Sequence, residues 1–440
     1  MANNDKNAAA FFESFHFPKI FRAFRISVQP AKLIIAFLAI VVVCFAGRIM
    51  DFSKTVVKED GGRITELHVF VSNPHDTPSY IEAHEQSGKR TGVFSALWVF
   101  GAERFHLALR SLFQLDIPGV AENIGQCFNA LVWAVQYHTT YTILFFTVTL
   151  AVISLAGGAI CRIAALQFSQ GEKPGLTDAV LFSTRKFTSL FSTPLIALGI
   201  VAFIGLLVSV VGFIGNIPIV GELLIGLSMP ITLLFGAVIT VIGIGAVAGF
   251  NLMFPTITYE DSDSFDAISR SFSYVYAKPW RMGFYTVVAG VYGAICYIFV
   301  RLFAFLSLWA GYLFVELGVL GHNRKLDAIW PEPTITNFVG TIDFTGKPWS
   351  FTASAIIVRL FVLAVIGLLA AFVISFYFSA NTIIYALMRN KVDNTALEDV
   401  YTRPIYGDTK TCQPAIEFEP ESSEPAVPPE RPDNSQQSAD

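Results

Sequence analysis

The sequence predicts an all-α integral membrane protein with about six transmembrane helices and a small external α/β segment. The first reason is the composition: 53% of the 440 residues are hydrophobic, 15% are charged, and the mean hydropathy is +0.56. This is too apolar for an ordinary soluble protein of that length. The second reason is that the apolar residues are gathered into runs, and each run approaches or exceeds the roughly 20 residues that a helix needs to cross a bilayer.

Six apolar runs rich in Leu, Ile, Val, Phe, Ala and Gly are the predicted spans. They cover residues 32–50, 141–162, 194–215, 219–252, 283–315 and 353–386. A long polar and basic stretch precedes the first run, which we therefore interpret as a retained anchor and not as a cleaved signal peptide. The fourth run is longer than one straight crossing and contains Pro230, so the sequence leaves open whether it is tilted, kinked or broken into two pieces.

Basic residues predict the orientation, because Lys and Arg in short loops are retained in the cytoplasm. Four of them surround the start of the first span: Lys19, Arg22, Arg25 and Lys32. With six crossings, segments 162–186, 260–281 and 389–403 also face the cytoplasm, and each contains Lys or Arg. We therefore expect a multi-pass protein of the cell membrane, specifically a bacterial inner membrane, with both termini in the cytoplasm.

Five regions follow from these spans and from the composition of the ends. They are a cytoplasmic N-terminal segment with an amphipathic helix (1–31), the first span (32–50), an external excursion (51–140), a membrane domain with five spans (141–406) and an acidic, Pro-rich tail (407–440). The tail is rich in Pro, Glu, Ser and Gln, a composition that cannot bury enough apolar surface to fold. We therefore predict that the tail is disordered.

The cytoplasmic segments before the odd-numbered spans resemble one another, which favours three units of an amphipathic helix followed by a hairpin of two spans. In the first segment, the apolar stripe at helical spacing comprises Phe17, Ile20, Phe21, Phe24 and Val28. The third segment opens with acidic residues that favour the positive end of a helix, and Ser264 can cap that helix. Ordinary connectors are also commonly amphipathic, so a chance pattern stays open.

The external segment begins with a predicted β pair, residues 54–57 and 63–71, around the turn Glu59-Asp60-Gly61-Gly62. Two amphipathic helices with apolar stripes are predicted after it, at about 94–113 and 120–135. Five histidines lie in this segment: His68, His75, His84, His106 and His138. Their spacing matches no compact ligand pattern, so the sequence predicts no metal and no other cofactor.

Two arginines are the candidate functional residues, because Arg301 and Arg359 each interrupt an apolar run. Adjacent spans run antiparallel, which places both toward the outer leaflet, and Glu222 at the outer start of the fourth span could approach them. One hypothesis is a basic pocket for an anionic lipid head group or substrate, neutralised by Glu222 when empty. The alternative is that the arginines reach the membrane interface and form a structural ion pair.

One stretch carries a family resemblance. Residues 255–273 read Pro-Thr-Ile-Thr-Tyr-Glu-Asp-Ser-Asp-Ser-Phe-Asp-Ala-Ile-Ser-Arg-Ser-Phe-Ser, and Lys278-Pro279-Trp280 follows. A span that ends in Pro, an acidic stretch and an amphipathic helix containing Ala and Arg-Ser resembles uncharacterised bacterial multi-pass membrane families. These include the membrane domain attached to some glycerophosphodiester phosphodiesterases. The resemblance covers the membrane part from the second span onward and implies a helical membrane domain, and it carries over no catalytic residue.

The expected function is that of a non-enzymatic membrane protein that organises a membrane complex or engages lipid. No catalytic residue is predicted, because the sequence has no G-x-S-x-G elbow or comparable hydrolase signature. Membrane lipid and other membrane proteins are the predicted partners, and the net charge of -4 argues against nucleic acid. Two alternatives stay open: a transporter or channel for a small anionic or lipid-like substrate, bound near a broken fourth span, and a lipid-modifying enzyme.

Overall fold

The protein is described from a computed structural model. The structure describes residues 17–59, 64–84, 89–318, 325–340, 342, 344 and 347–402. Fourteen α-helices and one two-stranded sheet lie in these residues. The predicted fold class, an all-α membrane protein with a small external α/β segment, is confirmed. The predicted tail at 407–440 lies outside the described residues.

Six of the described helices are long and apolar enough to cross a membrane, which confirms the multi-pass prediction. They are α2 (Pro30–Met50), α7 (Thr139–Ser169), α9 (Phe187–Ile214), α10 (Val220–Glu260), α12 (Pro279–Gly318) and α14 (Trp349–Val392). Each contains or closely matches a predicted span. The fourth span is not broken, because α10 runs without interruption through Pro230 and Pro255.

A short helix precedes each odd-numbered span, as the repeat predicted. These are α1 (Arg22–Ser27, extended by a 3-10 turn at Phe17–Phe21), α8 (Leu176–Arg185) and α11 (Ser264–Ala277). The apolar stripe of the first segment packs partly against the bundle. Ile20 is buried, and the ring of Phe21 lies 4.9 Å from the ring of Tyr292 in α12. The predicted cap of α11 is wrong by one residue. Asp263 is the cap and accepts from the Asp266 amide, because Ser264 already lies in the first helical turn.

The external sheet differs from the prediction. β1 (Val56–Lys58) pairs antiparallel with β2 (Lys89–Thr91), and in the described residues the predicted pairing with 63–71 is limited to one antiparallel bridge between Lys58 and Thr65. Residues 66–72 instead form α3 (Glu66–Ser72), because Thr65 and His68 make a capping box and the apolar Leu67 and Phe70 are buried at helical spacing. The remaining described external helices are α4 (Thr77–His84), α5 (Val93–Phe113), α6 (Ile117–Tyr137) and, before the sixth span, α13 (Lys325–Ile329). The two amphipathic helices α5 and α6 were predicted.

A charged network closes one end of the bundle, which we call the base: the end at which α10 terminates, α12 begins and α14 terminates. The carboxylate of Glu260 lies 2.5 Å from Arg270 Nη1 and 2.9 Å from Arg389 Nε, and it accepts a hydrogen bond from Tyr385. Lys278 Nζ donates to the Lys391 carbonyl at 2.7 Å. These contacts hold the helix ends at one level.

Lys32 has a different environment from the one that the orientation argument assumed. Its side chain is fully buried, and Nζ donates to the carbonyl of Ile26 at 2.9 Å and to Oε1 of Gln167 at 3.0 Å. Lys32 therefore fastens α1 and α7 together and does not face lipid head groups. Arg22 and Arg25, by contrast, are exposed.

Candidate functional site

A cavity of about 510 Å³ lies between α2, α5, α7, α12 and α14, and we call it the Arg301 cavity. Most of its wall is apolar, with Cys44, Trp98 and Leu369 among the lining residues. Polar groups enter it from Arg301, Tyr297 and Thr149. The Thr149 hydroxyl has no hydrogen-bond partner among the described residues. The cavity therefore combines an apolar wall with a cation and a free hydroxyl.

Arg301 is 5% exposed, and neutral groups surround its guanidinium. Nε and Nη2 donate to the carbonyls of Ile335 and Thr336 at 2.8 and 2.9 Å, and Nη1 donates to the Tyr297 hydroxyl at 2.9 Å. The ring of Phe338 stacks on the cation at 4.7 Å. Within the described part of the chain, no carboxylate pairs with this charge. Arg301 is a buried cation that is solvated by carbonyls and aromatic faces.

The structure does not bring the three predicted site residues together. Arg359 in α14 and Glu222 in α10 are exposed, and no ion pair joins either of them to Arg301 in the described residues. Neighbouring spans were expected to supply the partners of Arg301. Its acceptors come instead from the loop between α13 and α14.

His106 in α5 reports the positive field beside this cavity. Burial is the main cause that lowers the pKa of His106 below its ordinary value, and the charge of Arg301 lowers that pKa further. The ring of Phe105, the preceding residue, lies 6.0 Å from the Arg301 guanidinium carbon. Helix α5, from the segment between the first two spans, therefore forms one side of the Arg301 cavity.

A second cavity of about 400 Å³ lies between α10, α12 and α14, and we call it the Asn381 cavity. No charged residue lines it. Its polar groups include Asn251, Tyr377 and Asn381, and the Tyr377 hydroxyl donates to Oδ1 of Asn251 at 2.6 Å. The two cavities share walls at Phe105, Tyr297 and Val373.

The two cavities lie at different heights above the base. At 1.5 Å per residue, Arg301 is about 33 Å along α12 from Pro279, whereas Asn381 is about 17 Å along α14 from Val392. Because Lys278 holds the adjoining ends of these helices together, the two polar residues are separated by about 16 Å along the bundle. The polar groups of the two cavities therefore lie at different depths in a bilayer.

The part of the chain between the first two spans, residues 51–140, contains polar pairs among its described residues, and these pairs stabilise its fold. Glu66 is buried, lies 2.8 Å from His138 Nε2 and accepts from the Val57 amide, so it joins α3 to β1 and to the start of α7. His68 lies 3.6 Å from Glu103. Within the described part of the chain, no group of three or more His, Cys, Asp or Glu residues is arranged to hold a metal ion.

Asn381 was not among the candidate residues predicted from the sequence. It stands in the sixth predicted span, in the run Phe378-Ser-Ala-Asn-Thr-Ile-Ile384. A polar amide within an apolar run is itself a signal of function in a membrane protein, but two hydroxyl residues in the same run obscured it. Asn251, near the end of the fourth predicted span, also lines the Asn381 cavity.

Comparison with known proteins adds no relative: no protein-family model, curated protein or solved structure matches this chain. The resemblance to the membrane domain of glycerophosphodiester phosphodiesterases therefore stays a prediction.

Proposed function

We propose that the protein is a non-enzymatic lipid-binding protein of the cell membrane, and that the Arg301 cavity holds an anionic lipid. The lipid head group contacts the guanidinium of Arg301, and an acyl chain lies along the apolar wall. The observation that carries this proposal is the burial of Arg301 without a carboxylate partner in the described residues.

Electrostatics supports an anionic ligand. A buried charge is costly unless it is paired and hydrogen-bonded, and Arg301 has hydrogen bonds only to neutral oxygens. A guanidinium has five N–H groups, so three bonds leave donors for a further acceptor. Lipid phosphate is a strong acceptor of guanidinium hydrogen bonds and is present at every leaflet surface.

The shape of the cavity supports a lipid over a small soluble anion. Its volume of about 510 Å³ falls in the range of ligand sites, and apolar side chains from five helices line it. The transporter alternative drew on the Gly-rich fourth span with Pro230 and on Arg301 and Arg359, with substrate near a broken helix. Because α10 is unbroken and Arg359 is exposed, we favour lipid binding.

The orientation is part of the same proposal. With the base in the cytoplasm, as the basic residues predict, Arg301 lies toward the outer leaflet, and the external subdomain of residues 51–140 covers that side. The lipid would then come from the outer leaflet of the membrane.

The lipid that stays bound after exhaustive washing in a neutral detergent tests the proposal. We expect phosphatidylglycerol or another anionic lipid to be retained by the native protein and lost from Arg301→Gln. Arg359→Gln is the matched control, because Arg359 is exposed. Asn337→Ala is the control for loop mobility, since Asn337 Oδ1 accepts from the amides of Val339 and Gly340 in the loop that binds Arg301. Equal retention by Arg301→Gln and native protein would contradict the proposal.

A further inference from the structure

The Asn381 cavity has the features of a second site, independent of Arg301. Its volume of about 400 Å³ lies within the range of ligand pockets. Small residues of α12 and aromatic residues of α14 form much of the wall: Ala289, Gly290, Gly293, Ala294, Phe372 and Phe376. Because no charged residue lines it, its ligand is expected to be apolar with neutral polar groups.

Asn381 lies at this cavity without a hydrogen-bond partner. It is 6% exposed, and its side-chain amide makes no hydrogen bond within the described part of the chain. An amide that faces an apolar cavity without a partner is unfavourable, because it gives up hydrogen bonds to water and gains none in return. The amide therefore points to a ligand that supplies the missing hydrogen bond.

Asn251 adds further free polar groups to the same cavity. Its Oδ1 accepts from Tyr377, and its amide nitrogen has no partner among the described residues. Its backbone carbonyl also lacks the usual helical partner, because residue 255 is Pro and has no N–H to donate. Two side-chain amides thus present N–H donors to one apolar cavity, which suits a ligand with acceptor oxygens and an apolar chain.

The depth of the cavity suits the ester region of a phospholipid. Trp280, at the start of α12, is 91% exposed, and such a position is typical of the aromatic belt at a membrane interface. Thr286, the lining residue of α12 nearest to the base, lies about 9 Å further along the helix. Asn251 and Asn381 lie within about 8 Å of the base-side ends of the apolar runs 219–252 and 353–386. Both amides are therefore near the edge of the hydrocarbon core, where the ester carbonyls of a glycerolipid lie.

We propose that the Asn381 cavity binds a diester phospholipid from the leaflet at the base. Asn381 and Asn251 donate hydrogen bonds to its ester carbonyls, and one acyl chain lies along Gly290 and Gly293 toward Tyr297. No charge of the head group is needed for this recognition, which distinguishes the site from the Arg301 cavity.

Gly290 provides a direct way to fill the cavity. A Cβ added at Gly290 would meet no atom within 4 Å, and the same holds for Gly283 on the same helix, which does not line the cavity. Gly290→Leu is therefore expected to fill the site, and Gly283→Leu is the matched control. Asn381→Leu removes the amide and keeps the size of the side chain.

Native mass spectrometry of the full chain with added phosphatidylcholine tests the proposal, with diester and diether forms that have identical chains. The diester is expected to bind the native protein more tightly, on the order of fivefold, because the ether oxygens are weaker acceptors. Asn381→Leu should remove this preference, and Gly290→Leu should weaken both forms. Gly283→Leu and Arg359→Gln should bind as the native protein does. Asn381→Leu should still retain phosphatidylglycerol after washing, so a failure of this site is distinguishable from a failure of the Arg301 site.

Three results would overturn the proposal. The first is equal binding of diester and diether forms by the native protein. The second is unchanged lipid binding by Gly290→Leu. The third is conversion of a dimer to a monomer by Gly290→Leu, which would show that a second copy of the chain covers the cavity. Circular dichroism of each variant checks that the helices are intact.

Discussion

Arg301 in the fifth span donates from Nε to the carbonyl oxygen of Ile335 at 2.8 Å. The acceptor belongs to the loop between α13 and α14, so a buried cation of the bundle also holds this loop. The same guanidinium lines the Arg301 cavity. Loop order and the proposed lipid binding therefore depend on one side chain.

Replacing Arg301 by Gln should loosen the loop at residues 330–340. The substitution leaves the carbonyls of Ile335 and Thr336 without their charged donor, and such a bond is worth about 1.5 to 3 kcal/mol. Hydrogen exchange of amides in this loop is expected to accelerate by at least about tenfold. Arg359→Gln serves as the control, and unchanged exchange in Arg301→Gln would show that these bonds do not hold the loop.

Glu260 is expected to be the most sensitive charged residue of the base. Its side chain is 10% exposed and lies between Arg270 and Arg389. Glu260→Gln should lower the free energy of unfolding by about 1.5 to 3 kcal/mol, because it removes the nearly buried charged acceptor that Arg270, Arg389 and Tyr385 share, while Arg270 keeps Asp266 and Arg389 keeps Asp399. Asp266→Asn, which breaks a pair at a side chain that is 41% exposed, should cost at most about 1 kcal/mol. Thermal unfolding of both variants in the same detergent measures the two stability losses. Similar losses for Glu260→Gln and Asp266→Asn would contradict this prediction.

The position of His106 predicts a dependence of stability on pH. Burial and then Arg301 lower the pKa of His106 in the folded protein, so the folded state favours the neutral ring. The associated stability is present above the unfolded pKa of about 6.5, and it is lost as the pH falls through the lowered folded pKa. The loss is at most about 1.4 kcal/mol per pH unit.

His106→Gln isolates this contribution. The variant should lose less stability than the native protein between pH 7 and pH 5, as measured by the midpoint of thermal unfolding. Arg301→Gln should weaken the same pH dependence, because it removes one of the two causes of the lowered pKa. Parallel pH profiles for native protein and His106→Gln would refute the assignment.

Cys127 in α6 tests the proposed orientation. An impermeant thiol reagent added to whole cells should label Cys127 and leave Cys412 unlabelled. Burial raises the pKa of the Cys127 thiol above its ordinary value, so labelling should be faster at pH 8.5 than at pH 7, where less thiolate is present. Cys127→Ser is the control, and labelling of Cys412 from outside would reverse the orientation.

The spans were predictable because length and composition alone define them. The runs at 141–162 and 353–386 lie within α7 and α14, and the short helices before the odd-numbered spans followed from their apolar stripes. Local capping was harder to predict. Thr65 and His68 convert residues 66–72 into a helix, and a strand far along the chain, β2, takes the place of the expected partner of β1.

The candidate site was only partly predictable. The charge of Arg301 in an apolar run was sufficient to select it, whereas its partners Ile335 and Thr336 come from a loop whose path the sequence pattern does not define. Arg359 shows the same sequence signal and is exposed. Asn381 could be identified only from the packing of α10, α12 and α14. The sequence does not show whether an amide in an apolar run has a hydrogen-bond partner or faces a cavity.

The most direct test of lipid binding at Arg301 is the thermal stability of the protein in lipid nanodiscs as phosphatidylglycerol replaces phosphatidylcholine. A ligand that binds only the folded state raises the unfolding midpoint as its concentration rises. The midpoint of the native protein and of Arg359→Gln should therefore increase with the phosphatidylglycerol fraction, while that of Arg301→Gln should not change. An equal increase in Arg301→Gln would contradict the assignment of the Arg301 cavity as an anionic lipid site.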